Sequence, residues 1–99
     1  MEKKKNDILK ALKKHKKLTR KELSSTTGLS DRVCRHAIAE LRDEGYMIGI
    51  TASGGYSINN KTDFRRAIAF YTAKTRKEEA RIRSMKKTLE NVNQLRMSL

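Results

Sequence analysis

Apolar residues recur at helical spacing in three short blocks, alternate over two brief runs, and then return to helical spacing to the end of the chain. Ile8, Leu9, Ala11 and Leu12 make the first stripe, which predicts a helix from about Asn6 to His15. Asn6 is its expected N-cap, Asp7 suits the first turn, and Lys13, Lys14, Lys16 and Lys17 crowd the C-terminal end, where the helix dipole favours cations. The second block carries the clearest start signal. Thr19-Arg20-Lys21-Glu22 has the spacing of a capping box, and Leu18 and Leu23 flank it as a hydrophobic staple. Gly28 suits a left-handed helix end, so this helix should stop near Thr27.

Gly28-Leu29-Ser30 then forms a short turn, with Ser30 as the next cap and Leu29 buried between the two helices. The third helix is expected over about Asp31 to Glu44, ended by Gly45. Val33, Cys34, Ala37, Ile38 and Leu41 fall on its inner face, which leaves Arg32, Arg35, His36, Ala39 and Asp43 opposite. Tyr46 to Thr51 alternates like a strand, Ala52-Ser53-Gly54 turns the chain, and Gly55 to Asn59 reads as the return strand. Tyr46, Ile48 and Ile50 share one face, as do Tyr56 and Ile58.

From Thr62, a candidate N-cap, the pattern is helical and no Gly or Pro interrupts it. One helix over residues 63–99 would be roughly 55 Å long. Phe64, Ile68 and Tyr71 suit packing on the preceding domain. The later stripe of Ile82, Met85, Leu89, Val92 and Leu99 has no remaining intrachain core in this reading, so it implies a partner or a bend back onto the domain. Self-association into a homodimer is the favoured use of those five residues. The division is thus a domain over residues 1–60 and a basic amphipathic helix over residues 61–99.

Composition sharpens the picture. The 99 residues suit one small aliphatic core, with no Trp and a net charge of +13. The excess is spread evenly, with residues 1–60 at net +6 and residues 61–99 at net +7. Such a balance favours a polyanion, nucleic acid ahead of membrane. No apolar run is long enough to span a bilayer, and the basic start lacks the apolar stretch of a secretion signal. Cys34, the only cysteine, fits a small buried hydrophobe and cannot form an internal disulfide, so a cytoplasmic location is expected, in a bacterium or a phage-infected cell. His15, His36 and Cys34 lack the spacing of zinc ligands, Gly54-Gly55 lacks the lysine of a phosphate loop, and no nucleophile motif appears. No enzymatic activity, cofactor, metal or small-molecule substrate is expected.

The order of helix, helix, turn, helix and glycine-tipped hairpin resembles the winged helix-turn-helix superfamily. The likeness rests on Leu18 to Leu23, Gly28-Leu29-Ser30, Val33 to Arg42, Glu44-Gly45-Tyr46 and Gly54 to Ile58. The helix ending in Leu-Arg-x-x-Gly-Tyr before a strand is similar to small proteins of phages and prophages in Gram-positive bacteria, and the amino-terminal domain of biotin-type repressors has a similar layout. The fold class expected is mainly α (α+β), with a two-stranded wing and a long C-terminal helix.

The resemblance implies that residues 31–44 enter the major groove of double-stranded DNA, with the wing beside them. Arg32, Arg35 and His36 are then the candidate base contacts, and Ala39 allows close approach or touches a thymine methyl. Thr19, Arg20, Lys21 and Ser30, at helix starts, are candidate phosphate contacts, with Ser53 at the wing tip. The wing has no Arg or Lys between Tyr46 and Asn60, so Lys61, Arg65 and Arg66 just beyond it are the candidates for further phosphate contact. Arg32 and Arg35 could instead solvate the helix or pair with Asp31, Glu40 or Glu44. The function implied is a DNA-binding regulator or replication accessory of a phage or mobile element. The alternative is an assembly protein whose winged helix and long helix serve protein contacts.

Overall fold

The structure is a computed structural model that describes residues 2–73 and 79–98, with side chains as far as Val92. The chain runs α1 (Glu2–His15), β1 (Lys17–Leu18), α2 (Arg20–Thr27), α3 (Asp31–Asp43), β2 (Ile48–Ile50), β3 (Tyr56–Ile58), α4 (Lys61–Thr72) and α5 (Glu79–Ser98). The strands form one antiparallel sheet in the order β1-β3-β2, with Leu18 opposite Tyr56 and Ile48 opposite Ile58. Three helices, a small sheet and a hairpin in this order make a winged helix-turn-helix fold.

Local signals account for the middle of the chain. Thr19 Oγ1 accepts from the Glu22 N–H at 3.0 Å, and Glu22 Oε1 accepts from the Thr19 N–H at 2.8 Å. The Thr19 backbone N–H, and after it the Thr19 side chain, hold the Glu22 carboxyl below its ordinary range. Gly28 ends α2 at φ 74°, where a side chain is disfavoured. Ser30 then caps α3 by accepting from the Val33 N–H at 3.2 Å.

Two expected boundaries are corrected, and one strand is added. Helix α1 starts at Glu2, so Asn6 lies inside it and is no cap. The reason is tertiary: Lys5 is buried, donates to Glu44, and lies 2.9 Å from Glu2, which anchors the first turn to the far end of α3. Strand β1 was not expected, because two residues carry no period. Helix α4 is capped by Asn60, whose Oδ1 accepts from the Asp63 N–H at 2.9 Å, and Thr62 is its second residue.

The buried side chains divide into two clusters. In the first, Ile8 and Leu12 of α1, Leu23 of α2, and Cys34, Ala37, Ile38 and Leu41 of α3 meet Leu18, Ile48, Tyr56 and Ile58 of the sheet. The second joins Met47, Phe64, Ala67, Tyr71 and Met85, with Ile50, Ile68, Ile82, Leu89 and Val92 packed at its margin. Tyr46 was expected on the inner face of the hairpin and is instead outside it and 38% exposed, because Met47 takes the buried position.

The second cluster overturns the reading of the C-terminal third as one continuous helix. Helix α4 ends at Thr72 and α5 begins anew at Glu79. Met85 is fully buried, so the premise that its stripe lacks an intrachain core is corrected. Ile82, Met85, Leu89 and Val92 all pack within their own chain, while Leu99 of the expected seam lies outside the described residues. Burial of that apolar stripe outweighs the local preference for an uninterrupted helix. Arg81 strengthens the docking by donating to both carboxylate oxygens of Asp43, at 2.8 and 3.0 Å.

The fit of α4 on the sheet is close. A Cβ at Gly49 would lie 2.4 Å from the Asp63 carbonyl carbon and 2.6 Å from the Phe64 nitrogen, both backbone atoms. The buried Asp63 carboxylate accepts from Ser57 Oγ at 2.7 Å and from Arg66 Nη1 at 2.8 Å, which ties α4 to β3.

Candidate nucleic-acid interface

The inward pull of Cys34, Ala37, Ile38 and Leu41 sets the rotation of α3 and leaves its other side open. Arg32 is exposed, and the Arg35 and His36 side chains are 58% and 69% exposed. With the half-buried Ala39 they line a groove of about 940 Å³. Ile50, Gly54 and Tyr56 contribute to it from the wing, and Phe70, Tyr71 and Arg81 from the C-terminal helices. Among the described residues Lys4, Arg20, Arg32, Arg35, Arg42 and Arg81 line the groove, and no Asp or Glu does. A concave surface lined with one sign of charge concentrates counter-charged ligands.

A carboxylate stands at the margin. Asp31, the first residue of α3, accepts from Arg20 Nε at 2.9 Å on one oxygen and from Arg20 Nη2 on the other. Arg35 Nε is 3.1 Å from the same carboxylate. The Arg20 hydrogen bonds hold the Asp31 carboxyl below its usual range, with the charges of Arg20 and Arg35 adding to them. The pairing of Arg35 with Asp31 is thus present, whereas Arg32 makes no ion pair among the described residues. His36 Nε2 is 3.5 Å from Glu40.

The expected phosphate contacts do not share one surface. Arg20 and Lys21 border a second hollow at the corner of α2 and α3, together with Ser24, Ser25 and Asp31. Thr19 and Ser30 are exposed but their hydroxyls are engaged as caps, and Ser53 is exposed at the wing with its Oγ 3.2 Å from Thr51 Oγ1. Lys61 and Arg65 lie on α4 and do not line the main groove. Arg66 is committed to the fold, since it donates to Asp63 and to the Ile50 carbonyl at 2.9 Å.

Arg42 was missed. It is 4% exposed, donates from Nε to the Ile48 carbonyl at 2.7 Å and from Nη1 to Tyr71 Oη at 3.0 Å, and leaves Nη2 without a hydrogen-bond partner. The Tyr71 ring has Arg42 and Arg81 each 5.6 Å from its centroid. The spacing of Arg35, Ala39 and Arg42 along α3 was a signal for Arg42, but nothing local marked Tyr71 or Arg81.

Comparison with known proteins recovers the helical part of this arrangement. Residues 1–46 match the family model of winged helix-turn-helix DNA-binding domains. No curated protein and no solved structure matches the chain. The match covers the three helices of the winged helix and stops before its wing, so α4 and α5 lie beyond it. It supports a winged helix protein that binds DNA. Among the described residues no cluster of His, Cys, Asp and Glu could hold a metal ion, and no helix is long and apolar enough to cross a membrane. Burial raises the Cys34 thiol above its ordinary range, the setting of a packed rather than a reactive cysteine.

Proposed function

We propose that this protein binds double-stranded DNA without catalysing a reaction on it, and that α3 enters the major groove. The observation that carries the reading is the outward side of α3. Arg32, Arg35 and His36 stand exposed on one stripe in a groove to which, among the described residues, Lys and Arg side chains contribute and Asp and Glu do not. A guanidinium can bond O6 and N7 of guanine together, so Arg32 and Arg35 are the base readers. Ala39 leaves room for a base edge, and His36 sits between base and phosphate roles. Arg20 and Lys21, with Lys61 and Arg65, contact the backbone and set the register. Transcription regulation or replication of a phage or mobile element is the setting suggested by the sequence resemblance.

The winged helix offers one reading head per chain. Met85 is buried in the second core and Ile82, Leu89 and Val92 are half-buried at its margin, so two copies on an inverted repeat would meet through what those three leave exposed or through another surface.

Fluorescence anisotropy of the full chain with a random duplex tests the reading. Affinity should fall steeply with salt, each phosphate contact adding about −0.9 to the slope of log K against log salt. Binding that is absent at 50 mM salt, or flat across the series, contradicts it.

A further inference from the structure

The Asp31 carboxylate is an anomaly in a surface built to meet an anion. It is placed where the two arginines nearest the start of α3 converge, one from α2 and one from α3 itself. The Arg20 guanidinium takes both carboxylate oxygens through Nε and Nη2, the fork geometry that fixes an arginine most firmly. Arg35 comes nearest to the carboxylate with Nε, at 3.1 Å, and its two terminal nitrogens donate no hydrogen bond among the described residues. Terminal nitrogens are the atoms that a guanidinium presents to a guanine edge.

Stability does not explain the arrangement. The Arg20 and Arg35 side chains are 53% and 58% exposed and Asp31 is 37% exposed. Ion pairs this open contribute little to folding. The corner between α2 and α3 is already closed by Leu23, Leu29 and Cys34, and by the Ser24 hydroxyl donating to the Leu29 carbonyl.

We infer that Asp31 sets the specificity of the interface: it bridges Arg20 and Arg35 so that Arg35 is held for a base edge, and it withdraws positive charge from indiscriminate phosphate contact. The inference rests on the DNA-binding reading above. At a matched site Arg35 bonds a base through its terminal nitrogens while Nε stays on Asp31, so the bridge survives binding. On a random duplex Arg35 has no base partner and is drawn toward a phosphate, for which it must leave the carboxylate, whereas Arg20 keeps its Nε and Nη2 bonds in both cases and reaches the backbone with Nη1. The bridge therefore opposes random binding more than matched binding. Asp31 is a positioning residue, since it acts through the arginines and touches no nucleotide.

The test compares the full-length wild type with Asp31→Asn, on a duplex selected by the wild type from a random pool and on an unselected duplex. Asparagine keeps the size of the side chain and removes the charge. Random-duplex affinity should rise about threefold to tenfold and its salt slope should steepen by about one. The selected duplex should gain nothing, so the ratio between the two affinities narrows. Asp31→Glu retains the charge and should restore most of that ratio, and Asp31→Ser, which removes the carboxylate as asparagine does, should reproduce the asparagine result. Thermal melts of all three variants should lie close to the wild type. Equal shifts on both duplexes, or no shift on either, overturn the inference and leave the DNA reading intact. A wild type that binds neither duplex at low salt overturns the DNA reading itself, and this inference with it.

Discussion

The two cores of this chain are built by different means. The first, around Leu12, Leu23, Ile38 and Leu41, is assembled from elements that follow one another closely and whose ends are marked by side chains at fixed spacing. The second brings together Met47 and Met85, with Phe64, Ala67 and Tyr71 between them in sequence, so it joins elements far apart along the chain. The contrast separates structure that is dictated locally from structure that exists only because an apolar stripe has somewhere to go. It also has a functional edge, because the second core brings Tyr71 and Arg81 into the groove that α3 lines.

The largest effect that sharpens this contrast is expected at Phe64, the largest fully buried side chain. Phe64→Ala should lower stability by about 3–5 kcal/mol in urea unfolding of the full chain. A loss comparable to a surface substitution would mean that the second core is not part of the cooperative fold. Met85→Ala comes next, at about 2–4 kcal/mol, independent of protein concentration. If α5 instead served only to join two copies, the same substitution would act by lowering the mass in solution and would leave the unfolding of the monomer unchanged.

A smaller effect distinguishes the locally encoded region. Thr19→Ala removes one half of the capping box and should cost about 1 kcal/mol. The Glu22 carboxyl is held low in the folded chain, so its share of the cap is present above its unfolded value, about pH 4. That share is lost as pH falls through the folded value. The stability gap between wild type and Glu22→Gln should therefore narrow on acidification, and a gap that widens would contradict the capping geometry.

How far the fold could be read in advance follows the same division. Thr19, Glu22, Gly28 and Ser30 announce α2, the turn and the start of α3, because each satisfies a specific orphan backbone group or a left-handed turn. The start of α1 could not be read, because Lys5 is helical by virtue of Glu44, thirty-nine residues away. The break between α4 and α5 could not be read either, since residues 63–99 contain no helix breaker and only packing decides it. The candidate site divides likewise. Helical periodicity alone places Arg32, Arg35, His36 and Ala39 on the outer side of α3, where the structure has them. The pairing of Arg35 with Asp31 was one of several open partners, and Arg20 joining it from another helix depends on the turn geometry. Arg42 was hidden by its charge: a buried arginine is uncommon, and this one is held by a backbone carbonyl and a tyrosine hydroxyl rather than by a carboxylate.

The central claim is that the outer side of α3 reads base sequence, and Arg32 tests it with the least ambiguity because no described ion pair competes for it. The decisive measurement is selection of duplexes from a random pool by the wild type and by Arg32→Ala, followed by affinities for the recovered site. The account predicts a short preferred sequence for the wild type, and for the variant a loss of about 1–3 kcal/mol at that site with relaxed preference at one position. An unselected pool from the wild type, or an identical preferred sequence bound equally well by both proteins, would contradict it.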